Sequence, residues 1–142
     1  MKKTLYTLLL SPLLVILIGC STAQSQYGLL QMFSITKSAS DIQDMDFKAL
    51  YSIKNNDLCA AYFDSKSPIL HQEIVRRNLI PSNQWDDVSR NVLIKDMPLC
   101  AVLASQGKPD GVIMGQKVLE LHYNDNTVVL DKLKNHYVLQ NP

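Results

Sequence analysis

Residues 96–110, DMPLCAVLASQGKPD, place a cysteine, a serine and a glycine–lysine pair close together along the chain. A nucleophilic Cys100 would need a neighbouring base and an exposed, electropositive setting. Its flanking residues are apolar, as around a core side chain. Gly107-Lys108 resembles the end of a phosphate-binding loop, but neither Ser nor Thr follows Lys108, as that motif requires. We therefore expect neither nucleophilic catalysis nor phosphate binding from this stretch.

The three histidines, His71, His122 and His136, are the other residues suited to acid–base or metal chemistry. No motif joins them to one another or to a cysteine at metal-ligand spacing. A metal site would require the fold to bring them together, whereas solvated or packed histidines are much commoner. The sequence thus predicts no catalytic residue, no metal site and no cofactor.

The N-terminus has the pattern of an export signal. Lys2 and Lys3 precede a mostly apolar run over residues 5–18, which is too short to span a bilayer as a permanent helix. The run ends in Leu-Ile-Gly-Cys at residues 17–20, which resembles the lipobox of bacterial lipoproteins. The resemblance implies a signal peptide over residues 1–19 and a membrane anchor of several acyl chains on Cys20.

The residue after the anchor bears on location. In Gram-negative lipoproteins an aspartate at that position retains the protein in the inner membrane, and here the residue is Ser21. By resemblance, Ser21 implies the outer membrane, with the chain facing the periplasm. The chain has 14 basic and 13 acidic side chains, so its charge gives no reason to expect nucleic acid as a partner.

Two cysteines remain once Cys20 is assigned to the lipid. The periplasm is oxidising, so Cys59 and Cys100 favour a disulfide, which would close a loop of about 40 residues and stabilise the fold by about 4 kcal/mol. Two buried free thiols are the alternative. A metal site is disfavoured, because neither cysteine lies in a CxxC pair or near a histidine at ligand spacing.

Residues 20–40 are rich in Ser, Gln and Thr and lack a sustained period, so they predict a flexible tether behind the acylated cysteine. An apolar cluster at residues 29–33 is expected to pack on the folded body. Residues 41–142 are predicted to form one periplasmic α+β domain.

Helical signals dominate the first half of that domain. Ser67-Pro68 begins an amphipathic helix that Pro81 stops, and a second helix with Trp85 follows it. Trp85 fits a core position or an interface anchor. Residues 96–109 carry both signals for a short helix, with Pro98 at its start and Gly107 at its end.

Strand signals dominate the C-terminal part. KVLELHY, TVVLD and HYVLQ, separated by short polar turns, predict a three-stranded antiparallel β-meander. Helices followed by a small sheet indicate an α+β fold in which several short helices pack on one face of the meander.

These features together resemble the SmpA/OmlA (BamE-like) family of outer-membrane lipoproteins. The family signature is Ile-x-x-Gly-Met, a helix, Gly-x-Pro and then strands. The chain is similar to this signature over residues of about 90–140. The matching parts are Ile94-Lys95-Asp96-Met97, the stretch that follows it to Gly107-Lys108-Pro109, and the three predicted strands. Asp96 replaces the glycine, and the helical segment 57–90 lies outside the short assembly-subunit pattern. The resemblance implies a BamE-like fold and no catalytic residues.

We therefore expect an outer-membrane lipoprotein that binds a protein partner or lipid headgroups in an envelope complex, such as the machinery that assembles outer-membrane proteins. Alternatives are an accessory lipoprotein of a secretion, pilus or conjugation apparatus, a periplasmic enzyme inhibitor and, least favoured, a small hydrolase. The candidate partner-binding residues, chosen by residue type, are Arg76, Arg77, His122, Tyr123, Thr127 and Tyr137. An ordinary solvated helix face is the alternative for the arginine pair.

Overall fold

The computed structural model describes residues 20–34, 37–124, 126–134 and 136–141, with residues 20–25 described through their backbone. Short helices precede a C-terminal antiparallel sheet, so the fold is α+β as predicted. The helices are α1 (Cys20–Met32), α2 (Ala39–Gln43), α3 (Phe47–Leu50), α4 (Asn55–Ser65), α5 (Pro68–Arg76), α6 (Trp85–Ser89) and α7 (Leu99–Gln106). The strands are β1 (Gly111–Met114), β2 (Val118–Tyr123), β3 (Asn126–Leu133) and β4 (His136–Leu139).

The predicted signal peptide, residues 1–19, lies outside the described residues. Among the helices of the described part of the chain, none combines the length and the apolar character needed to cross a membrane.

Helix α5 shows how the sequence sets a local element. Pro68 occupies its first turn, where a missing N–H leaves no hydrogen bond unmade. Leu70 and Ile74 recur one helical turn apart and are fully buried. The predicted amphipathic helix is therefore present, and it ends at Arg76.

Helix α7 carries the stretch with the cysteine and the glycine–lysine pair. Pro98 is its N-cap residue, while Asp96 adopts a φ of 66° before it and makes no cap. Gly107 ends the helix with a φ of 83°, and a Cβ placed there would lie 2.7 Å from the ring of Phe63. Both the conformation and the close approach require glycine. The stretch is thus a short helix with a glycine stop, as predicted.

The sheet has four strands in the order β1-β2-β3-β4, and every neighbouring pair is antiparallel. The prediction of three strands is wrong because β1 adds a fourth. Its sequence, GVIM, is short and lacks the alternation of apolar and polar residues that identifies a half-buried strand. Leu119, Leu121, Leu130 and Leu139 on the later strands are fully buried in the core under the helices.

The free edge of β4 is covered by the segment before α7. The N–H of Asp96 donates to the carbonyl oxygen of Leu139 over 3.0 Å, and the N–H of Leu139 donates to that of Met97 over 2.8 Å. Pro98 forms an isolated bridge with Val138. Because these residues occupy the hydrogen-bonding groups of β4, that edge is closed to other strands.

Helix α1 replaces most of the predicted flexible tether over residues 20–40. Of the apolar cluster, Met32 at its end and Phe33 after it are buried, as expected, whereas Leu30 is 54% exposed. Gly28 lies against β1, where an added Cβ would overlap the carbonyl oxygen of Val112. Residues 20–32 therefore form a helix whose C-terminal part packs on the folded body, where the sequence predicted a flexible segment.

The chain after α1 is fixed to the start of α4. The N–H of Ser34 donates to both carboxylate oxygens of Asp57 at 3.0 Å, and its hydroxyl donates to one of them at 2.6 Å. The side-chain amide of Asn56 donates to the carbonyl oxygen of Met32 over 3.1 Å. These contacts hold the C-terminal end of α1 on the helical layer.

Helices α4 and α7 form the centre of that layer. Cys59 of α4 and Cys100 of α7 are at disulfide-bonding distance, with their Cα atoms 5.3 Å apart and a sequence separation of 41. Both cysteines are buried. The bridge therefore joins two core helices that meet only through the tertiary fold.

Candidate interaction surface

Glu73 is a carboxylate on the buried face of α5, and its side chain is fully inaccessible to solvent. Arg76 donates to its two oxygens from Nε and Nη2 at 2.7 Å each, and Arg77 donates from Nε at 2.6 Å. The hydrogen bonds from Arg76, then those from Arg77 and both positive charges, lower the pKa of Glu73 from 4.5 to about 2, although burial opposes them. Glu73 is therefore an ionised buried group with two counter-charges.

Arg77 is directed into the protein. Its Nη1 donates to the carbonyl oxygen of Ile53 at 2.7 Å and to Oδ1 of Asn55 at 2.8 Å, and its Nη2 donates to the carbonyl oxygen of Leu50 at 2.7 Å. The side chain is only 13% exposed. Arg77 thus ties α5 to the segment between α3 and α4, and this geometry removes it from the predicted contact surface.

Arg76 differs from its neighbour in that it faces outward. Its side chain is 48% exposed, and its guanidinium carbon lies 4.6 Å from the centroid of the Tyr51 ring. Among the described residues, none accepts a hydrogen bond from Nη1 of Arg76. The guanidinium is therefore held by Glu73 on one side, supported by an aromatic ring and open to a further acceptor.

The residues around Arg76 form a mixed aromatic and apolar surface. Tyr51 is 54% exposed and meets Phe47 edge-on, with ring centroids 5.5 Å apart. Ile69 and Gln72, which are also exposed, precede Arg76 by two turns and one turn on the same face of α5. We call these residues, Phe47, Tyr51, Ile69, Gln72 and Arg76, the Tyr51–Arg76 surface. Arg76 is its one charged member, and the buried Glu73 beneath it carries the opposite charge.

The residues predicted on the sheet divide between its two faces. His122 and Thr127 are paired across β2 and β3 on the face away from the helices, with Nδ1 and Oγ1 3.2 Å apart. Tyr123 lies on the other face and donates its hydroxyl to the carbonyl oxygen of Gly107 over 3.2 Å; burial raises its pKa. Tyr137 packs against the core. The structure therefore brings together only two of the four predicted residues.

His122 also lies near Glu120, with Nε2 and Oε2 3.6 Å apart. The Thr127 hydroxyl, the His122 imidazole and the Glu120 carboxylate thus lie in a row, and these are the three kinds of group that form a catalytic triad in nucleophilic catalysis. The row lies flat on the two central strands, whose backbone N–H groups are paired within the sheet. No N–H is thus left there to bind an oxyanion, and the row gives no argument for a hydrolase.

The remaining histidines lie apart from this row. The ring of His71 on α5 meets Trp85 edge-on, with centroids 4.2 Å apart, and His136 is exposed on β4. Trp85 itself is partly buried against the core and also meets Tyr62 edge-on at 5.6 Å. Within the described ranges, no three His, Cys, Asp or Glu residues are grouped to hold a metal ion.

Glu73 and Tyr51, the two residues that position Arg76, were not predicted from the sequence. Glu73 stands at a helical position between buried Leu70 and Ile74, and arginines follow it at the spacing of helical ion pairs. That combination is a usable signal for a buried ion pair. Tyr51 has no such signal, because its contact with Arg76 depends on the packing of α3 against α5.

Cys20, the predicted lipidation residue, is the first residue of α1. Its side chain is outside the described part of the chain, so the lipid anchor stays a prediction.

No protein-family model, no curated protein and no solved structure matches the chain. The functional argument therefore rests on the geometry of the surface and on the sequence features.

Proposed function

We propose that this chain is an outer-membrane lipoprotein, anchored through Cys20 and facing the periplasm, that acts as a non-catalytic binding subunit of an envelope protein complex. The lipobox-like sequence supports the anchor. The half-exposed guanidinium of Arg76, fixed by Glu73 and supported by Tyr51, is the observation that carries the binding role.

The physical basis of the binding role is preorganisation. A free arginine loses side-chain entropy when it binds, whereas Arg76 already makes two hydrogen bonds to Glu73 and stacks on Tyr51. Arginine and tyrosine are also the residues that most often dominate binding energy at protein interfaces. The partner is a protein segment that offers a carboxylate to Nη1 of Arg76 and an apolar group to the rings beside it.

The proposal includes membership in the SmpA/OmlA (BamE-like) family. Asp96 occupies the position of the family's glycine before Met97 and has a φ of 66°, a conformation that glycine adopts freely. Gly107, which corresponds to the glycine of Gly-x-Pro, has a φ of 83°. These two backbone conformations support the resemblance over residues of about 90–140. The complex is therefore proposed to be one that assembles outer-membrane proteins.

The test is crosslinking in the native membrane. A photo-crosslinking amino acid replaces Gln72 in the full chain, and the crosslinked products are identified by mass spectrometry. We expect Arg76→Ala and Tyr51→Ala to lower the yield of one specific product about tenfold or more, as for residues that dominate an interface. Tyr51→Ala is informative because Tyr51 makes no hydrogen bond to Glu73.

Arg90→Ala is the matched control. Arg90 is also a half-exposed arginine, at the C-cap of α6, and it pairs with Asp86 and Asp87, which lie four and three residues before it. Its replacement should leave the yield unchanged. An equal loss in Arg90→Ala, or no loss in either surface variant, would contradict the proposed interface.

The identity of the product separates the functional alternatives. A component of the barrel-assembly machinery supports the proposed complex, whereas a component of a secretion, pilus or conjugation apparatus would assign the lipoprotein to that apparatus. A soluble periplasmic enzyme that is captured equally by Cys20→Ser would indicate an inhibitor.

A further inference from the structure

A cavity of about 340 Å³ lies between one face of helix α1 and the turn that follows α7. We call it the α1 cavity, and its lining includes Gln26, Leu29, Leu30, Phe33, Ser34 and Lys108. Its volume is within the range of about 300–1,000 Å³ that is usual for sites that bind small molecules. Apolar side chains with a few polar groups among them are the arrangement by which such sites hold and orient a ligand.

Lys108 is the charged residue of this lining. Its Nζ lies 5.0 Å from the centroid of the Phe33 ring, which is buried. The backbone of Lys108 is confined, because Gly107 ends α7 immediately before it and Pro109, which is buried, restricts the residue that precedes it. The ammonium group is therefore held over an aromatic ring at the cavity by a fixed turn.

The ammonium group of Lys108 has no anionic partner within the described residues. Asp110, two residues later in the chain, accepts a hydrogen bond from the backbone N–H of Asn124 over 2.7 Å. Asp57 accepts three hydrogen bonds from Ser34 of the lining. Both carboxylates are thus engaged elsewhere, and a cation beside an apolar cavity attracts an anion more strongly than a cation in open water does.

We propose that the α1 cavity binds an apolar carboxylate, that is, a carboxylate attached to a hydrocarbon group. The carboxylate accepts a hydrogen bond from Nζ of Lys108, and the side-chain amide of Gln26 can donate to its second oxygen. The hydrocarbon group packs against Leu29, Leu30 and Phe33. Leu30 is 54% exposed, so a bound hydrocarbon would remove part of its surface from water. A fatty acid and the C-terminal residue of a peptide both have this chemistry.

Other classes of ligand match the lining less well. Inorganic phosphate has no hydrocarbon group to cover the leucines, and an uncharged hydrocarbon leaves the ammonium group of Lys108 without an acceptor. A bilayer surface is flat and does not enter a cavity, and attraction to its headgroups usually requires about four or more basic residues, whereas the described lining has one.

The α1 cavity is independent of the proposed binding role. It shares no residue with the Tyr51–Arg76 surface, and binding of a small carboxylate does not require acylation of Cys20. Either proposal can therefore fail while the other stands.

The test is photoaffinity labelling of the full chain in phosphatidylcholine vesicles. The probe is decanoic acid that carries a diazirine at the end of its chain, and peptide mass spectrometry identifies the labelled residues. We expect labels on the lining of the α1 cavity. Octanoate and N-acetyl-leucyl-leucine are the competitors, and the stronger of the two assigns the site to fatty acids or to peptide ends. If the lining is not labelled, or if neither competitor displaces the label, the proposal is overturned.

A charge reversal tests the role of Lys108. Lys108→Glu should lower labelling of the lining about tenfold or more, because the ligand loses a hydrogen bond to a charged group and meets a like charge. Decylamine with the same diazirine should instead label this variant, which a misfolded protein would not allow. Lys95→Glu, the matched control, makes the same change of charge at an exposed lysine outside the cavity and should leave labelling by the acid unchanged. Equal labelling of the two variants by the acid, or no gain with the amine, overturns the proposal.

A second pair of variants tests the hydrocarbon contact. Leu30→Asp places a carboxylate in the apolar lining and should lower labelling by the acid about tenfold or more, because the bound hydrocarbon group would bury that charge. Leu133→Asp is the matched control, since Leu133 is 48% exposed on β3 and does not line the cavity. An undiminished label in Leu30→Asp would contradict the proposed position of the hydrocarbon group.

Discussion

The backbone N–H of Asp96 donates a hydrogen bond to the carbonyl oxygen of Leu139 over 3.0 Å, and Asp96 makes it with a φ of 66°. The contact begins the cover over the free edge of β4 and sets the entry to α7. Asp96 thus adopts a backbone conformation that glycine adopts more easily, because a side chain at positive φ crowds the backbone.

The first prediction concerns that conformation. Asp96→Gly should raise the free energy of unfolding by about 0.5 kcal/mol, and Asp96→Ala should lower it by about 1 kcal/mol, because a Cβ without a local polar group is disfavoured at positive φ. Urea denaturation of the three proteins measures both effects. Lys95→Gly is the control, since Lys95 is not among the residues with positive φ, and it should not stabilise. An Asp96→Gly protein less stable than the parent would contradict the argument.

The second prediction concerns the buried ion pairs of Glu73. Glu73→Gln should lower the free energy of unfolding at pH 7 by about 3 kcal/mol, because two guanidinium groups lose a buried counter-charge. The pKa of Glu73 is about 2 in the folded protein and 4.5 ordinarily. Because the pKa of Glu73 is lower in the folded protein, its charge contributes to the free energy of unfolding above pH 4.5. This contribution is lost as the pH falls from 4.5 toward 2.

The measurement is the difference in unfolding free energy between the parent and Glu73→Gln at a series of pH values. All other carboxylates are common to both proteins, so the difference isolates Glu73. This difference in unfolding free energy should narrow as the pH falls toward 2. A difference that stays constant over this window would show that the charge of Glu73 does not stabilise the fold.

The third prediction concerns the bridge between α4 and α7. Replacing Cys59 and Cys100 together by Ala should lower the free energy of unfolding by about 4 kcal/mol, as the chain-entropy model gives for a closed loop of this length. Non-reducing peptide mapping should recover the two cysteines as one linked product. Two thiols that react with an alkylating agent in the native protein would contradict the bridge.

The fourth prediction concerns the lipid anchor. Cells that express the full chain should incorporate labelled palmitate into it, and Cys20→Ser should abolish the label, because the acyl chains require the cysteine sulfur and the new amine at that residue. The Cys59 and Cys100 double replacement is the control and should keep the label. Palmitate that remains on Cys20→Ser would exclude Cys20 as the acylated residue.

Local signals in the sequence account for much of the fold. The proline and glycine around α7, the proline at the start of α5 and the alternation in the later strands all act over a few residues, and these elements are present. Strand β1 and helix α1 were missed because neither has a local period. Each forms through contact with the other, with Gly28 fitting against Val112, and such a contact has no counterpart in a single stretch of sequence.

The candidate surface, like the fold, could be predicted only in part from local sequence signals. Arg76 was identified by residue type alone, which also selected Arg77, although the structure directs the two side chains to opposite environments. Their difference depends on the phase of α5 and on acceptors contributed by Leu50, Ile53 and Asn55. Tertiary contacts that distant in sequence decide which arginine remains available to a partner.

The helical state of residues 20–32 also sets how far the domain stands from its attachment point. A helix rises about 1.5 Å per residue, so about 20 Å separate Cys20 from the buried Phe33. The same residues as a flexible chain would extend up to about 45 Å. If Cys20 is acylated as proposed, the helix would keep the folded body within about 20 Å of the lipid attachment point, which is less than half of the reach of a flexible chain of the same length.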